Sequence, residues 1–590
     1  MKFRWKQIMP QNKTAIAITA GVSLLCAGTF GAIAAAQVAA PEAVEIAALP
    51  TDAFAIGVLE TADGALPPSL WKDSDPQVLD YLLSHAPVRP ASPSLGQAMR
   101  RTLLSSGAKP VGADASLGGK KLLALTRAGF VSEARDIASL ASSGRNDLFV
   151  AEADATINLL SGDVDGACRR GAALAGGREA LFWVKLRAFC YARAGELDAY
   201  DLTMNLLREH GSLSATEEAL FAARATGAQP KVAPPITTAL EYAAAKSAGV
   251  LLNPGLLEHA EGGVLSAIVM DSGNEPALRI EAAEHALAAG TMNAGTLVSL
   301  FDGVDFDVAD IGAALDIAAA RPNDPLTDAL LYQSIAAMDA PEFIRDKAQR
   351  ISLALDRANS FPRAHALALV YAEKIDELEG VLVSPGEAAN FALARMAVGD
   401  SIGAGRWLAA MIGANESVAA LPEPLAGIFI DRVNLLALVD PQTAAHIARD
   451  AGVSILSQSP SYDGTVSAHD DHAVTARILE AAFDAVAGDK AGQAGLAALA
   501  ASAGSGKTSG EVEAVVVSES LNAAGMPELR RRHRFERAWA ASFAAAPATE
   551  LGSASVETPA GAAMSATPIS AQASDDDGLW TPRVKPSKGQ

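Results

Sequence analysis

Three glycines spaced 33 residues apart, Gly129, Gly162 and Gly195, constrain this chain more than any other feature. Each has an aliphatic residue two positions on and then Ser or Asp: Val131-Ser132, Val164-Asp165 and Leu197-Asp198. Glycine adopts the left-handed backbone that ends a helix without a Cβ penalty. A small polar or acidic residue just beyond suits the first turn of the next helix. Leu148-Phe149 and Leu181-Phe182 recur at the same 33-residue interval. Two helices per period of this length read as helical-hairpin repeats, which bury their apolar faces by stacking into a solenoid with a concave binding surface. The repeat block spans roughly 118–228, and a fourth, imperfect copy ends at Ala225-Thr226-Gly227.

Composition extends the helical reading beyond the repeats. Half of the 590 residues are hydrophobic by type, much of that alanine, while aromatics make up only 5%. Alanine and leucine favour helix, and the alternating Val/Ile/Thr runs of a sheet are missing. The expected fold is all-α: a tetratricopeptide-like helical-hairpin solenoid, a degenerate helical array after it, and a disordered C-terminal tail. The expected boundaries are 1–40 for a signal peptide or membrane anchor, 41–75 for a linker, 76–228 for the repeats, 238–545 for the second array and 546–590 for the tail. Pro230, Pro234 and Pro235 mark the hinge between the two helical blocks.

The N-terminus reads as an export signal. Lys2, Arg4, Lys6 and Lys13 precede an apolar stretch from about Ala15 to Ala36, and no charged residue follows Lys13 until Glu42. Ala34-Ala35-Ala36 fits a cleavage site, yet the stretch is also long enough to anchor the chain uncut. Either outcome sends the rest of the chain to the periplasm. Cys26 follows bulky Leu25, which is wrong for lipidation. The two remaining cysteines, Cys168 and Cys190, fall on neighbouring antiparallel helices of the repeats. In an oxidising compartment such a pair reads as a disulfide; the alternative is two thiols packed as small hydrophobes.

Candidate chemistry is sparse. A formal charge of −21 argues against a nucleic-acid binder. Ala501 to Thr508 fits a loose phosphate-loop pattern, but the segment before it is helical in character where that loop needs a strand. His469-Asp470-Asp471-His472 offers metal-binding residue types without a convergent set. No nucleophile–base set stands out, so the expectation is no enzyme, no cofactor and no metal. Arg530-Arg531-Arg532-His533-Arg534 is a basic run on a helix whose Phe535, Trp539 and Phe543 form one apolar stripe. That pattern reads first as a packed helix with solvated arginines. In the tail, Trp580, Pro582, Arg583 and Val584 follow an acidic run at Asp575–Asp577 and have the makings of a docking peptide.

The repeats resemble tetratricopeptide-type repeats in architecture, without that family's Trp…Leu-Gly…Tyr signature. The export signal, the stretch Leu66-Pro67-Pro68-Ser69-Leu70-Trp71 and the two-cysteine hairpin together resemble Ala-rich exported helical envelope proteins of alphaproteobacteria, whose function is not established. The repeats and the export signal together read as a periplasmic scaffold or adaptor that presents a helical-repeat groove to a protein or peptide. The expected partners include no nucleic acid, and membrane contact only through the N-terminal segment. The other classes left open are an accessory or enzyme of envelope-polymer metabolism and a passive structural protein. Export itself is directly testable. A reporter enzyme that works only in the periplasm, fused after Pro50, is expected to be active, and the mass of the mature N-terminus then separates cleavage at Ala36 from an uncut anchor. Activity confined to a cytoplasmic reporter refutes export.

Overall fold

Helix ends follow the local signals of the sequence. Gly129 caps its helix at φ 114°, Gly195 at φ 75°, and Gly162 turns the chain at φ 82°. The helices that follow begin at Val131, Val164 and Leu197, the 33-residue interval of the glycines. Proline opens several helices where its missing N–H is not needed, with Asp75, Ser92 and Asp440 as side-chain caps. Ser214/Glu217, Thr238/Glu241 and Ser384/Glu387 close reciprocal capping boxes.

The structure is a computed structural model that describes residues 52–141, 147–230, 233–255, 257–338, 340–413, 417–455, 472–503 and 511–545. Among the described residues there are 26 α-helices and no strands. The first four are α1 (Pro76–Ser84), α2 (Pro93–Leu104), α3 (Ser116–Ala128) and α4 (Val131–Leu140). The hairpins continue with α5 (Leu148–Leu160), α6 (Val164–Ala172), α7 (Leu181–Ala194) and α8 (Leu197–Glu209), then α9 (Ala215–Thr226) and α10 (Ala239–Ala248). The middle of the chain adds α11 (Gly262–Met270), α12 (Pro276–Ala288), α13 (Ala294–Asp302), α14 (Val308–Gly312), α15 (Ala314–Ala320) and α16 (Pro325–Ala336). After them come α17 (Ile344–Asp356), α18 (Phe361–Asp376), α19 (Pro385–Ala397), α20 (Ser401–Ile412), α21 (Glu423–Val439) and α22 (Pro441–Ala451). The last four are α23 (His472–Ala487), α24 (Ala491–Ala503), α25 (Glu511–Ala523) and α26 (Pro527–Ala545).

Consecutive helices pair as α3/α4, α5/α6 and α7/α8, and α5 packs against both α3 and α10. Cys168 of α6 and Cys190 of α7 are joined by a disulfide, with Cα atoms 5.9 Å apart. The division of the core departs from the expected division of the chain. One hydrophobic core joins residues between Ala53 and Ile157 to residues between Ile478 and Leu529. The other runs from Ala151 to Ala451 and includes Phe535 and Trp539. The linker expected up to residue 75 is corrected from residue 52 onward. Phe54 and Trp71 are fully buried with ring centroids 5.1 Å apart, and the Lys121 ammonium donates to the carbonyls of Phe54 and Ile56.

The C-terminal helices bring this about by packing on the N-terminal segment: α24 lies against α1 and α2, and α26 against α2, α18 and α21. Gly492 N–H donates to the Leu70 carbonyl at 3.0 Å, and a Cβ there would sit 2.4 Å from the Trp71 ring. On α26 the apolar stripe is buried at Phe535 and Trp539 while Arg531 and Arg534 are exposed, the packed-helix arrangement. The same helix carries two buried polar contacts to α2. Glu536 accepts from the Ser94 N–H at 3.0 Å and the Ser94 hydroxyl at 2.8 Å, and His533 Nδ1 lies 3.1 Å from Ser92 Oγ.

Two predictions follow from this packing. Burial, with Arg537 nearby, pushes the His533 imidazole down to about 4, and burial, with Arg532 nearby, pushes His365 down to about 3. Both are neutral in the folded protein, so their contribution is intact above the unfolded-state value near 6.5 and is lost as pH falls toward 4. Denaturation at stepped pH should show this acid loss, on the order of 3 kcal/mol for each group, and His533→Gln should flatten its share of the slope. Separately, reducing the Cys168–Cys190 bond, whose partners are 22 residues apart, should lower stability by about 3 kcal/mol without changing helix content. Two freely alkylated thiols in the native protein would contradict the bond.

Candidate functional site

The repeat glycines lead to a wide concavity. Ala128 and Gly129 at the end of α3 meet Gly262 at the start of α11 and Thr291 after α12, while Gly290 packs on Pro93 at the start of α2. A Cβ on Gly262 would lie 1.9 Å from the Ala128 carbonyl oxygen, and one on Gly129 would lie 3.1 Å from the Gly262 oxygen. Ser266 Oγ on α11 donates to the Gly129 carbonyl at 3.1 Å and fixes the junction. Around it opens a groove of about 1100 Å³. Its walls are the last turns of α5, α10 and α11, the turns at Gly129, Gly162 and Gly290, and the first turn of α4.

The lining is amphipathic. Phe130, Val131, Leu160, Val164, Met270 and Met292 supply apolar surface, and Met270 is 75% exposed. Four cations, Arg100, Arg135, Arg193 and Lys246, line the groove against two carboxylates, Glu133 and Asp271. Lys246 pairs with Asp271 at 2.9 Å, and Arg193 grips Asp165 with contacts of 3.1–3.2 Å. Arg135 is exposed and has no ion-pair partner among the described residues. Arg100 reaches only the Asp63 carbonyl, at 3.5 Å. Lys246 and Arg193 also sit in the last turns of α10 and α7, where a cation complements the helix dipole. A local excess of positive charge therefore stands in a chain whose formal charge is −21.

Tyr242, Asp271, Asn274 and Lys246 form the ordered polar corner of the groove. The Tyr242 hydroxyl donates to Asp271 at 3.2 Å and accepts from Asn274 at 3.1 Å. Burial pushes the Tyr242 phenol well up. Partial burial works to raise the Asp271 carboxyl, but hydrogen bonds from Lys246 and the Gly273 N–H outweigh it and hold the group below the usual range. Asp271 is thus an anion at neutral pH and fixes Lys246. Arg100 and Arg135 remain as the cations able to meet a ligand.

The other expected sites separate from this groove. Cys168 and Cys190 form a disulfide and do not line it. Trp580, Pro582, Arg583 and Val584 lie outside the described residues, as do Gly504–Thr508 and His469–Asp471. Ala501 ends up in helix α24, so helix precedes the phosphate-loop-like pattern. Sequence reasoning did not single out Arg100, Arg135, Tyr242, Lys246 or Asp271. The signal that leads to them is the repeat itself, since Gly129 and Gly162 both line the groove. Among the described residues, no helix is long and apolar enough to cross a membrane. Compared with protein-family models, curated proteins and solved structures, the chain matches none.

Proposed function

We propose that this protein is an exported scaffold or adaptor of the bacterial envelope that holds an extended peptide segment in the groove at the hairpin turns. The observation that carries the reading is the groove's composition: apolar side chains flanked by four cations and two carboxylates, in an acidic chain. Such a surface suits a peptide with apolar anchors and acidic flanks. The apolar surface supplies affinity, and the unpaired arginines select charge and speed encounter. A repeat protein is suited to this task because its turns and helix faces line up as a continuous surface. The resemblance to exported alphaproteobacterial envelope proteins and the N-terminal export signal support the compartment.

The test is site-specific. A photo-crosslinking amino acid at Met270 should trap a discrete partner in living cells, whereas the same group at Leu382, 92% exposed and away from the groove, should not. In the Arg100→Glu/Arg135→Glu double variant, affinity for the peptide mapped from that crosslink should fall about tenfold or more, with a smaller salt dependence and unchanged helicity. Identical products at Met270 and Leu382, or an unchanged affinity in the double variant, would refute the groove as the docking site.

A further inference from the structure

A second cavity, of about 340 Å³, lies beside α12 and is built differently from the groove. Its walls include Glu281, Glu284 and His285 of α12, Asn323 before α16, Asn359 before α18 and Arg363 of α18. Glu284 is only 6% exposed, and its Oε1 has no hydrogen-bond partner. Burying a polar group unpaired is costly, and native proteins rarely do so without a reason in function. Glu281, on the same wall, takes the Gly255 N–H at 2.9 Å on both oxygens.

The cation of this wall is already occupied. Arg363 binds Asp328 of α16 in a two-pronged pair at 2.6 and 2.7 Å, and its third contact goes to the Pro322 carbonyl at 2.9 Å. The Asn323 and Asn359 amides bond to each other at 2.9 Å. The lining thus presents two carboxyls with spare acceptor capacity, uncharged amide and imidazole groups, and no free cation. Among the described residues the lining offers an anionic ligand no unpaired cation. Among the described residues, no group of three or more His, Cys, Asp or Glu is placed to hold a metal ion. The volume admits a small molecule and excludes a folded chain segment.

We propose that this cavity is a binding site for a small organic cation carrying a primary ammonium group, with Glu284 as its counter-ion and Glu281 as a second acceptor. An ammonium has three N–H donors and one positive charge, which match the unpartnered Glu284 oxygen and the neighbouring Glu281. The neutral imidazole of His285 and the Asn359 amide would hold a hydroxyl or a second polar group of the ligand.

The groups facing Glu284 set its proton balance. They are Glu281 on its own helix, Asp328 from α16 and Arg363 from α18, with His285 beside it on the cavity wall. Burial, then Asp328 and Glu281, push the Glu284 carboxyl well up, while Arg363 opposes them. Burial, with Arg89 nearby, holds His285 neutral, down to about 4. Burial thus disfavours the charged carboxylate of Glu284, and an ammonium beside it favours that form. Wherever Glu284 is protonated, ammonium binding breaks its O–H bond, the proton leaves to solvent, and the carboxylate that remains pairs with the ligand. Binding tightens as pH rises, for as long as the ligand amine stays protonated.

Calorimetric titration of the full chain with 1,4-diaminobutane, in two buffers of different ionisation enthalpy at mildly acidic and mildly alkaline pH, tests the proposal. The expected result is tighter binding at the higher pH, proton release that is larger at the lower pH, and at least a tenfold loss in Glu284→Gln. Glu281→Gln, which keeps the Glu284 counter-ion, should weaken binding less. The Arg100→Glu/Arg135→Glu double variant should bind the diamine unchanged, which separates this site from the peptide groove. No diamine binding at either pH, or an unchanged affinity in a folded Glu284→Gln protein, would overturn the proposal.

Discussion

The packing of α24 and α26 against the segment 52–104 is the constraint on which the rest of the structure depends. It joins residues more than 400 positions apart, as in the bond from the Asp75 N–H to Gln493 and those from Ser94 to Glu536. Glu536 is buried, so its carboxyl must be satisfied from within the protein, and Ser94 does this with both its amide and its hydroxyl. Leaving such a group unpaired costs on the order of 1–3 kcal/mol, which makes the contact selective for one docking position. Helix α26 also spans the two cores, with Leu529 in one and Phe535 and Trp539 in the other.

Close backbone approach is the second organising device. Where α3 ends, α11 begins and α12 ends, glycine stands at Gly129, Gly262 and Gly290, and any side chain at Gly262 would meet carbonyl oxygen. That junction draws the hairpin turns together, so the ends of several helices face one groove. The cations of the groove do two things. Lys246 and Arg193 complement their helix dipoles and are held by Asp271 and Asp165, while Arg100 and Arg135 stay available to a partner. An open amphipathic groove suits a peptide. The smaller cavity at Glu284 suits a small solute, and its unpartnered carboxyl weighs against stability in the way functional sites commonly do.

Much of the helix pattern was legible in the sequence because its causes are local. A glycine with left-handed backbone ends a helix wherever it stands, a capping aspartate needs only the next two or three amides, and the stripe at Phe535, Trp539 and Phe543 follows from helical spacing alone. The linker expectation failed for residues 52–75 because Pro-rich, aperiodic sequence looks the same whether it crosses solvent or lies over a core. Phe54 and Trp71 are buried by the α3 and α24 helices, which their own neighbourhood does not encode. The groove was half legible: Gly129 and Gly162 marked its turns, but Arg100 and Tyr242 reach it from helices outside the repeat interval.

By itself, then, the sequence determined that the chain is helical and where many helices begin and end, since these depend on residues within a turn or two of one another. The tertiary structure decided which ends meet, how the core divides and which charged groups are buried together. Glu284, Asp328 and Arg363 are ordinary charged helix residues in the sequence. They become one cluster only because α12, α16 and α18 pack on each other, and whether a carboxylate is solvated, paired or left neutral depends on the dielectric and the charges brought to it by that packing.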